Sequence, residues 1–362
     1  MSGPPTGAPP AGPGPVWDVV NGLAAFGALS AALELGLFDA LAAAGQPGLA
    51  PEELAAAVSA SDAGAVELLA EVLVSLGLLT GDGRAVALTP VAEHFLVSDS
   101  PASMAALGRL SPGPWSGWQQ LAATVRTGAV PAGTRAELAA GYPDLVRATA
   151  PTQRAVAAGV AAALAGRELW PAAPRVVDLG CGSGAWLAAL LADRPGATAV
   201  GVDLPGVLPV ARDTVAEAGL DPRVSLLAGD YLEVDLPAGA ADVVVLAHVL
   251  RAEPAERARR LLLRALDLLA PGGVVVVADY PRPDPAAAPD PDRSAVLAGA
   301  RHELLLSLTM AAATDGSGVT VADLRAWAGD GGARLTDVLQ PVPRQSVFLI
   351  RPVPPTATET QR

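Results

Sequence analysis

The sequence predicts an α/β protein in two parts, a mostly helical N-terminal region and a parallel sheet covered by helices on both faces. Three observations carry this. Before residue 171, apolar residues recur at helical spacing and strand signals are few. After it, continuous Val/Leu runs alternate with amphipathic stretches, the pattern of strands buried on both faces. Where the first such strand meets its helix lies a glycine-rich turn, Gly180-Cys181-Gly182-Ser183-Gly184.

The bulk numbers narrow the function. At 362 residues and 51% hydrophobic, the chain is long enough for two domains with a sizeable core. Asp and Glu outnumber Lys and Arg 37 to 24, every basic residue is Arg, and the net charge is −13. That balance disfavours a phosphate backbone, so no nucleic-acid partner is expected. Three histidines and one cysteine, with no His-x-x-His or Cys-x-x-Cys spacing, predict no metal site. The lone Cys181 excludes an internal disulfide and fits a reducing cytosol, so the expected location is cytoplasmic. Charged residues, Gly or Pro cut every apolar stretch short of a bilayer span, so no membrane association is expected. Residues 1–15 are rich in Pro, Gly and Ala without a basic stretch and read as a disordered leader; 353–362 read as a frayed tail.

Within 16–110 the elements follow in order. Residues 16–33 form an apolar, Ala-rich helix with two faces to bury, which suits packing against a second subunit. Pro51 followed by Glu52 and Glu53 starts a helix running to 60. Val66, Leu69, Leu73 and Leu76 mark another over 62–78. Gly81-Asp82-Gly83 turns a hairpin of short strands within 79–88, and Thr89-Pro90 starts the next helix. Helix, helix and hairpin make a winged-helix arrangement. A DNA-reading helix needs cationic side chains, whereas 62–78 carries Asp62, Glu67 and Glu71 and no Arg. The region therefore reads as a packing and dimerisation module, with His94 structural.

Residues 111–170 read as a helical linker. Trp115 and Trp118 lie three apart on one helix face, suited to core packing or to a substrate-facing wall, and 145–169 is a long apolar helix. The domain at 171–352 carries strands at 175–179, 197–202, 224–228, 243–246 and 273–278, with helices at 185–192, 208–218 and 254–269. A long helix (294–313) and a shorter one (321–329) follow, then apolar runs at 333–339 and 346–351 that should pair antiparallel at the sheet edge.

The chemistry lies in Val176-Val177-Asp178-Leu179-Gly180-Cys181-Gly182-Ser183-Gly184. Glycines let a ligand approach the backbone at a helix N-terminus. Asp203, ending the next strand, has the offset of an acid that accepts ribose hydroxyls. Gly180-x-Gly182-x-x-Ala185 formally fits a dinucleotide fingerprint. Asp178, just before the glycines, would repel a pyrophosphate and suits a cationic ligand without phosphate. S-adenosylmethionine, with an ammonium, a sulfonium and a ribose, meets that description. Gly229-Asp230-Tyr231, after the third strand, supplies a carboxylate for an adenine amino group and a ring to flank it.

Together these residues resemble the bacterial and plant small-molecule O-methyltransferases that carry an N-terminal dimerisation and winged-helix domain. The likeness runs from Val16 to Pro352. It rests on Leu33-Glu34-Leu35-Gly36-Leu37-Phe38, Leu88-Thr89-Pro90, the glycine motif, Gly201-Val202-Asp203-Leu204-Pro205, Gly229-Asp230-Tyr231, Ala270-Pro271-Gly272-Gly273 and the helix ending at Met310. It implies a Rossmann-like sheet, an intertwined homodimer, S-adenosylmethionine held by Asp178, Gly180, Gly182, Gly184, Asp203, Leu204, Gly229, Asp230 and Tyr231, and a hydroxylated small-molecule acceptor. Trp115, Trp118, His302 and Met310 are the candidates to face that acceptor, with core packing for the tryptophans and a helix-surface place for His302 as the other readings.

The departures bear on mechanism. Where the family commonly has His-Asp-Trp, with the histidine as general base, this chain reads Leu250-Arg251-Ala252-Glu253, so Arg251 takes the histidine position. A family lysine is Ala247, and the acids that brace the base map onto Asp279 and Asp323. Arginine stays protonated and cannot be the base. It can hold a phenolate or a substrate carboxylate and lower the acceptor's pKa. His248, three residues earlier, reads as lining the methyl-donor site, with Arg251, His248, Asp279 and Asp323 around the acceptor. Two alternatives stay open: an enzyme that binds the cofactor for chemistry other than methylation, and a dimeric binding protein.

Overall fold

The computed structural model describes residues 12–81, 84–109, 115–167, 171–285 and 292–354. It divides into two compact units, Met1–Leu110 and Ser111–Arg362.

The first unit contains α1 (Gly14–Glu34), α2 (Leu37–Ala44), α3 (Pro51–Ala57), α4 (Ala63–Ser75), β1 (Leu79–Gly81), β2 (Val86–Leu88), α5 (Pro90–Phe95) and α6 (Ala105–Arg109). Its core gathers Leu33, Leu37, Phe38, Leu41, Leu54 and Leu73. Side-chain caps start two of the helices, Asp62 accepting from Ala65 N and Thr89 from Ala92 N. β1 and β2 pair antiparallel, Leu79 opposite Leu88, as expected of the hairpin; Asp82 and Gly83 of its turn lie outside the described residues.

α1 corrects one expectation, that every apolar stretch is too short for a bilayer: its 21 residues, with a mean hydropathy of 1.5 over the most apolar stretch, are long and apolar enough to cross a membrane by length and composition. Within the chain it buries only Ala32 and Leu33, while Val16, Trp17, Val19, Val20 and Leu23 are more than half exposed. Residues 14–24 of α1 are all exposed, and burial sets in only from Ala25 onward.

The second unit begins with α7 (Trp115–Thr127) and α8 (Ala132–Ala165). α8 starts well before the predicted residue 145, running through Gly141 and Pro143, and ends at Ala165. Pro143 and Pro151 both lie inside this helix of 34 residues, each forgoing a backbone bond that packing on the sheet-covering helix behind it offsets. The sheet domain follows as β3 (Arg175–Leu179), α9 (Ala185–Leu191), β4 (Thr198–Asp203), α10 (Leu208–Glu217), β5 (Val224–Ala228), β6 (Ala241–Ala247), α11 (Ala255–Asp267), β7 (Leu269–Asp279), α12 (Arg293–Gly299), α13 (Arg301–Ala313), α14 (Val321–Asp330), β8 (Ala333–Val342) and β9 (Gln345–Pro352). The predicted single helix at 294–313 is two, broken after Gly299, since glycine is a weak helix former.

The strand order is β5-β4-β3-β6-β7-β9-β8. β5 through β7 run parallel, and β9 is antiparallel to both β7 and β8. One apolar layer holds Trp186, Leu187 and Leu190 against one face of the sheet, and a second holds Leu261, Leu262 and Phe348 against the other. Each such leucine contributes about 1.5–3 kcal/mol. The chain steps from β3 outward to β5, then returns to β6 on the other side of β3. The C-terminal ends of β3 and β6 thus flank a switch point, where sheets of this kind bind ligands.

Candidate active site

A cleft of about 530 Å³ opens at this switch point. Gly180, Asp203, Leu204, Gly229, Asp230, Tyr231, His248, Val249 and Glu253 contribute from the strand ends, and Arg135, Leu138, Ala139, Tyr142 and Pro143 from α8. Gly180, Gly182 and Gly184 all have positive φ, which glycine adopts without strain. A Cβ on Gly180 would overlap Val249 Cγ1, so β3 and β6 approach this closely only with glycine here. Gly180→Ala should therefore cost roughly 1–3 kcal/mol of stability, read as a lowered Tm, and an unchanged melt would contradict the close approach.

The acids divide into three kinds. Asp203 Oδ2 accepts from Gly182 N and Oδ1 from Leu204 N, each at 2.7 Å. Burial raises its pKa, and these two bonds pull it down. Asp230 takes Arg257 Nη2 at 2.5 Å and Leu232 N at 2.9 Å. Arg257 also pairs with Glu253 at 2.8 Å, and Glu253 accepts the Tyr231 hydroxyl. This network fixes the floor of the cleft beyond β5 and β6. Asp178 lies under the glycine turn, fully buried, and neither carboxylate oxygen has a hydrogen-bond partner among the described residues. Burial first and the charge of Asp203 second push its pKa well up. An orphaned buried carboxylate beneath a turn of glycine N–H groups, with a ribose-type acid on the next strand, suits a ligand carrying an ammonium.

The expected acceptor residues are only partly gathered. Arg251 is mostly buried, its Nε 3.9 Å from Asp279 Oδ1 and its guanidinium carbon 5.5 Å from the Tyr280 ring centroid. Arg251 Nε and Nη1 have no hydrogen-bond partner among the described residues. Burial raises the Asp279 pKa while Arg251 lowers it. His248 has φ 61, a backbone conformation that non-glycine residues adopt under strain. Asp323 has a local role: its carboxylate closes a capping box on α14, accepting from Thr320 N and Oγ1 at 2.8 and 2.7 Å, and it does not line the cleft. A Thr-x-x-Asp start to a helix uses the acid locally. Arg251, Asp279, Trp118, His302 and Met310 also stand outside the cleft lining, Arg251 in the turn between the lining residues Val249 and Ala252. His302 packs edge-on against Tyr280 at 5.5 Å, and Trp115 begins α7 with its side chain outside the described residues.

Tyr142 was not foreseen. Its hydroxyl pKa is pushed up to about 12, chiefly by burial and then by Asp203. Its one sequence signal is scarcity, as one of three tyrosines. Arg257 was missed too, although Glu253 four residues earlier marks a helical ion pair.

Comparison with known proteins matches this arrangement. The O-methyltransferase domain family matches residues 154–333 and the O-methyltransferase dimerisation domain residues 17–98. A 3-hydroxy-5-methyl-1-naphthoate 3-O-methyltransferase of Streptomyces sahachiroi is 31% identical over 90% of this chain and 92% of its own. The mitomycin 7-O-methyltransferase MmcR is 26% identical, covering 94% of this chain and 97% of its own at a TM-score of 0.72. CalO1, a methyltransferase in calicheamicin biosynthesis solved with S-adenosylhomocysteine bound, is 26% identical, covering 93% and 97% at a TM-score of 0.70. The chain belongs to the O-methyltransferase family, as an S-adenosylmethionine-dependent enzyme that carries the family's dimerisation domain.

Proposed function

We propose that the protein methylates an acidic hydroxyl, a phenol or enol, on a small aromatic or polyketide-like natural product, as a homodimer in the cytoplasm. The observation that carries this reading is Arg251, a buried cation with unpartnered N–H groups at the position where the family commonly has its base. The S. sahachiroi relative, which acts on a hydroxynaphthoate, supports the substrate class. The exposed apolar side of α1, within the dimerisation domain, supports the homodimer.

When bound, S-adenosylmethionine supplies a methyl group on a sulfonium. Asp203 holds the ribose hydroxyls with its remaining lone pairs, Asp178 the ammonium through the glycine turn, and Asp230 with Tyr231 the adenine end. Leu204 and Gly229 border the cleft beside them. Tyr142 and Pro143 of α8 cover it and keep water out. Arg251, in the turn between the cleft-lining Val249 and Ala252, acts on the acceptor oxygen from behind that lining. A guanidinium there favours the oxyanion over the hydroxyl and so lowers the acceptor's pKa.

The test is incubation with methyl-labelled S-adenosylmethionine and a panel of phenols and aliphatic alcohols. Label should pass to phenols and S-adenosylhomocysteine should accumulate. Cofactor-dependent turnover without S-adenosylhomocysteine would overturn methylation in favour of another chemistry on the same fold. Arg251→Gln should lower kcat roughly 10–30-fold, with the calorimetric affinity for S-adenosylmethionine nearly unchanged. The reverse pattern would place Arg251 at the cofactor.

A further inference from the structure

Gln345 opens β9, a strand that no cofactor or acceptor reasoning singles out. It is 1% exposed, and its side-chain Nε2 lies 2.5 Å from His248 Nε2, across 97 residues of sequence. Its other end, Oε1, accepts a hydrogen bond from the Tyr280 hydroxyl at 3.2 Å. The Tyr280 and His248 rings pack with centroids 5.4 Å apart and planes tilted by 32°. The three side chains thus form one chain, Tyr280 to Gln345 to His248, at the junction of β6, β7 and β9.

A side-chain amide has a donor end and an acceptor end that cannot be exchanged without turning the whole group. With Oε1 facing the Tyr280 O–H, the NH₂ faces the imidazole and donates to Nε2. A ring nitrogen that accepts carries no hydrogen, so the proton of the neutral ring is on Nδ1. Nδ1 is covered and has no hydrogen-bond partner among the described residues, while the residue lines the cleft. Burial first and the Arg251 charge second push the His248 pKa well below the ordinary histidine value, so the ring stays neutral at physiological pH.

We propose that Gln345 is a positioning residue. Through the Tyr280–Gln345–His248 chain it holds His248 with its proton on Nδ1, so His248 meets the acceptor as a hydrogen-bond donor beside Arg251 and not as the base that removes its proton. This rests on the reading of the cleft as a hydroxyl-methylating site. His248 Nδ1–H then adds a second donor to the Arg251 cation three residues on in the chain. Together they stabilise the acceptor oxygen as an oxyanion and offer nothing to receive its proton, which leaves to solvent. The enzyme therefore selects hydroxyls acidic enough to ionise, and aliphatic alcohols fall outside its range.

The tautomer can be read directly. The chain has only three histidines, and His94→Gln and His302→Gln variants assign the other two. In protein labelled with ¹⁵N-histidine, above neutral pH, His248 should show a protonated Nδ1 and an unprotonated Nε2. The opposite pattern, which free imidazole side chains prefer in water, overturns the proposal without any variant. Gln345→Glu supplies only acceptor oxygens and should move the proton to Nε2. It should lower kcat at least tenfold while leaving the calorimetric affinity for S-adenosylmethionine within about twofold. Gln345→Leu should lower kcat without imposing the Nε2–H tautomer. A purely structural Gln345 would instead give variants that melt earlier but turn over normally once folded. A switched tautomer with unchanged kcat overturns the proposal as well. Failure of every acceptor to be methylated would defeat the functional reading, yet the spectrum of the unmodified protein would still decide the tautomer.

Discussion

Replacing Asp203 with alanine is expected to weaken S-adenosylmethionine binding by roughly 10²–10⁴-fold, the equivalent of two charge-assisted hydrogen bonds at about 1.5–3 kcal/mol each. The carboxylate is 8% exposed at the C-terminal end of β4 and lines the cleft. One lone pair of each oxygen is already used, on Gly182 N and on Leu204 N. Those bonds aim the second lone pair of each oxygen into the cleft, where a ribose presents two adjacent hydroxyls. The same bonds tie Asp203 to the glycine turn, so truncation also loosens the backbone that the ligand rests on. Asp203→Asn separates the two effects, because it keeps one acceptor for the turn and loses the charge. Titration calorimetry on both variants should rank them native, Asn, Ala in falling affinity. Equal affinities across the three would remove Asp203 from the ribose.

What the sequence made legible follows from how local each signal is. Glycines with positive φ and an acid at a strand end are fixed by backbone geometry, so Gly180, Gly182, Gly184 and Asp203 could be placed without a fold. The parallel strands were equally plain, since runs such as Val274 to Val277 are buried on both faces and need no alternation. For Asp323 the sequence leaves two roles that are indistinguishable in one dimension. A mapped position says which residue aligns, while a Thr three residues earlier decides where the carboxylate points. Tyr142 and Gln345 were invisible for the opposite reason. Each acts across long sequence separation, from α8 onto β4 and from β9 onto β6, and neither belongs to a motif. The start of α8 lies ahead of two prolines that tertiary packing tolerates inside the helix.

Asp178→Asn should move stability and affinity in opposite directions. In the folded chain without cofactor, Asp178 is fully buried, both its oxygens lack partners, and its pKa is raised well above the ordinary carboxylate range. A carboxyl whose folded pKa exceeds its unfolded one holds its proton more tightly when folded. Its favourable contribution is therefore complete below the unfolded pKa, near 4, and is lost as pH rises through the folded pKa. Between those two pKa values the cost of the uncompensated buried group grows with pH, reaching about 1–3 kcal/mol once the carboxyl is ionised. Asparagine carries no charge to desolvate, so the cofactor-free variant should melt higher than the native protein, by a margin that widens from pH 5 to pH 8 and vanishes near pH 4. The cofactor reverses the ranking, because its ammonium supplies the missing counter-charge only to the carboxylate. Removing one partner of a buried charge pair costs about 2–5 kcal/mol, so the variant's Kd for S-adenosylmethionine should rise roughly 30-fold or more. Melting curves with and without saturating cofactor across this pH range test both halves together. A variant with unchanged Kd would show that Asp178 answers to the fold alone. A variant that melts lower at every pH would show that the carboxylate is paired in the folded protein.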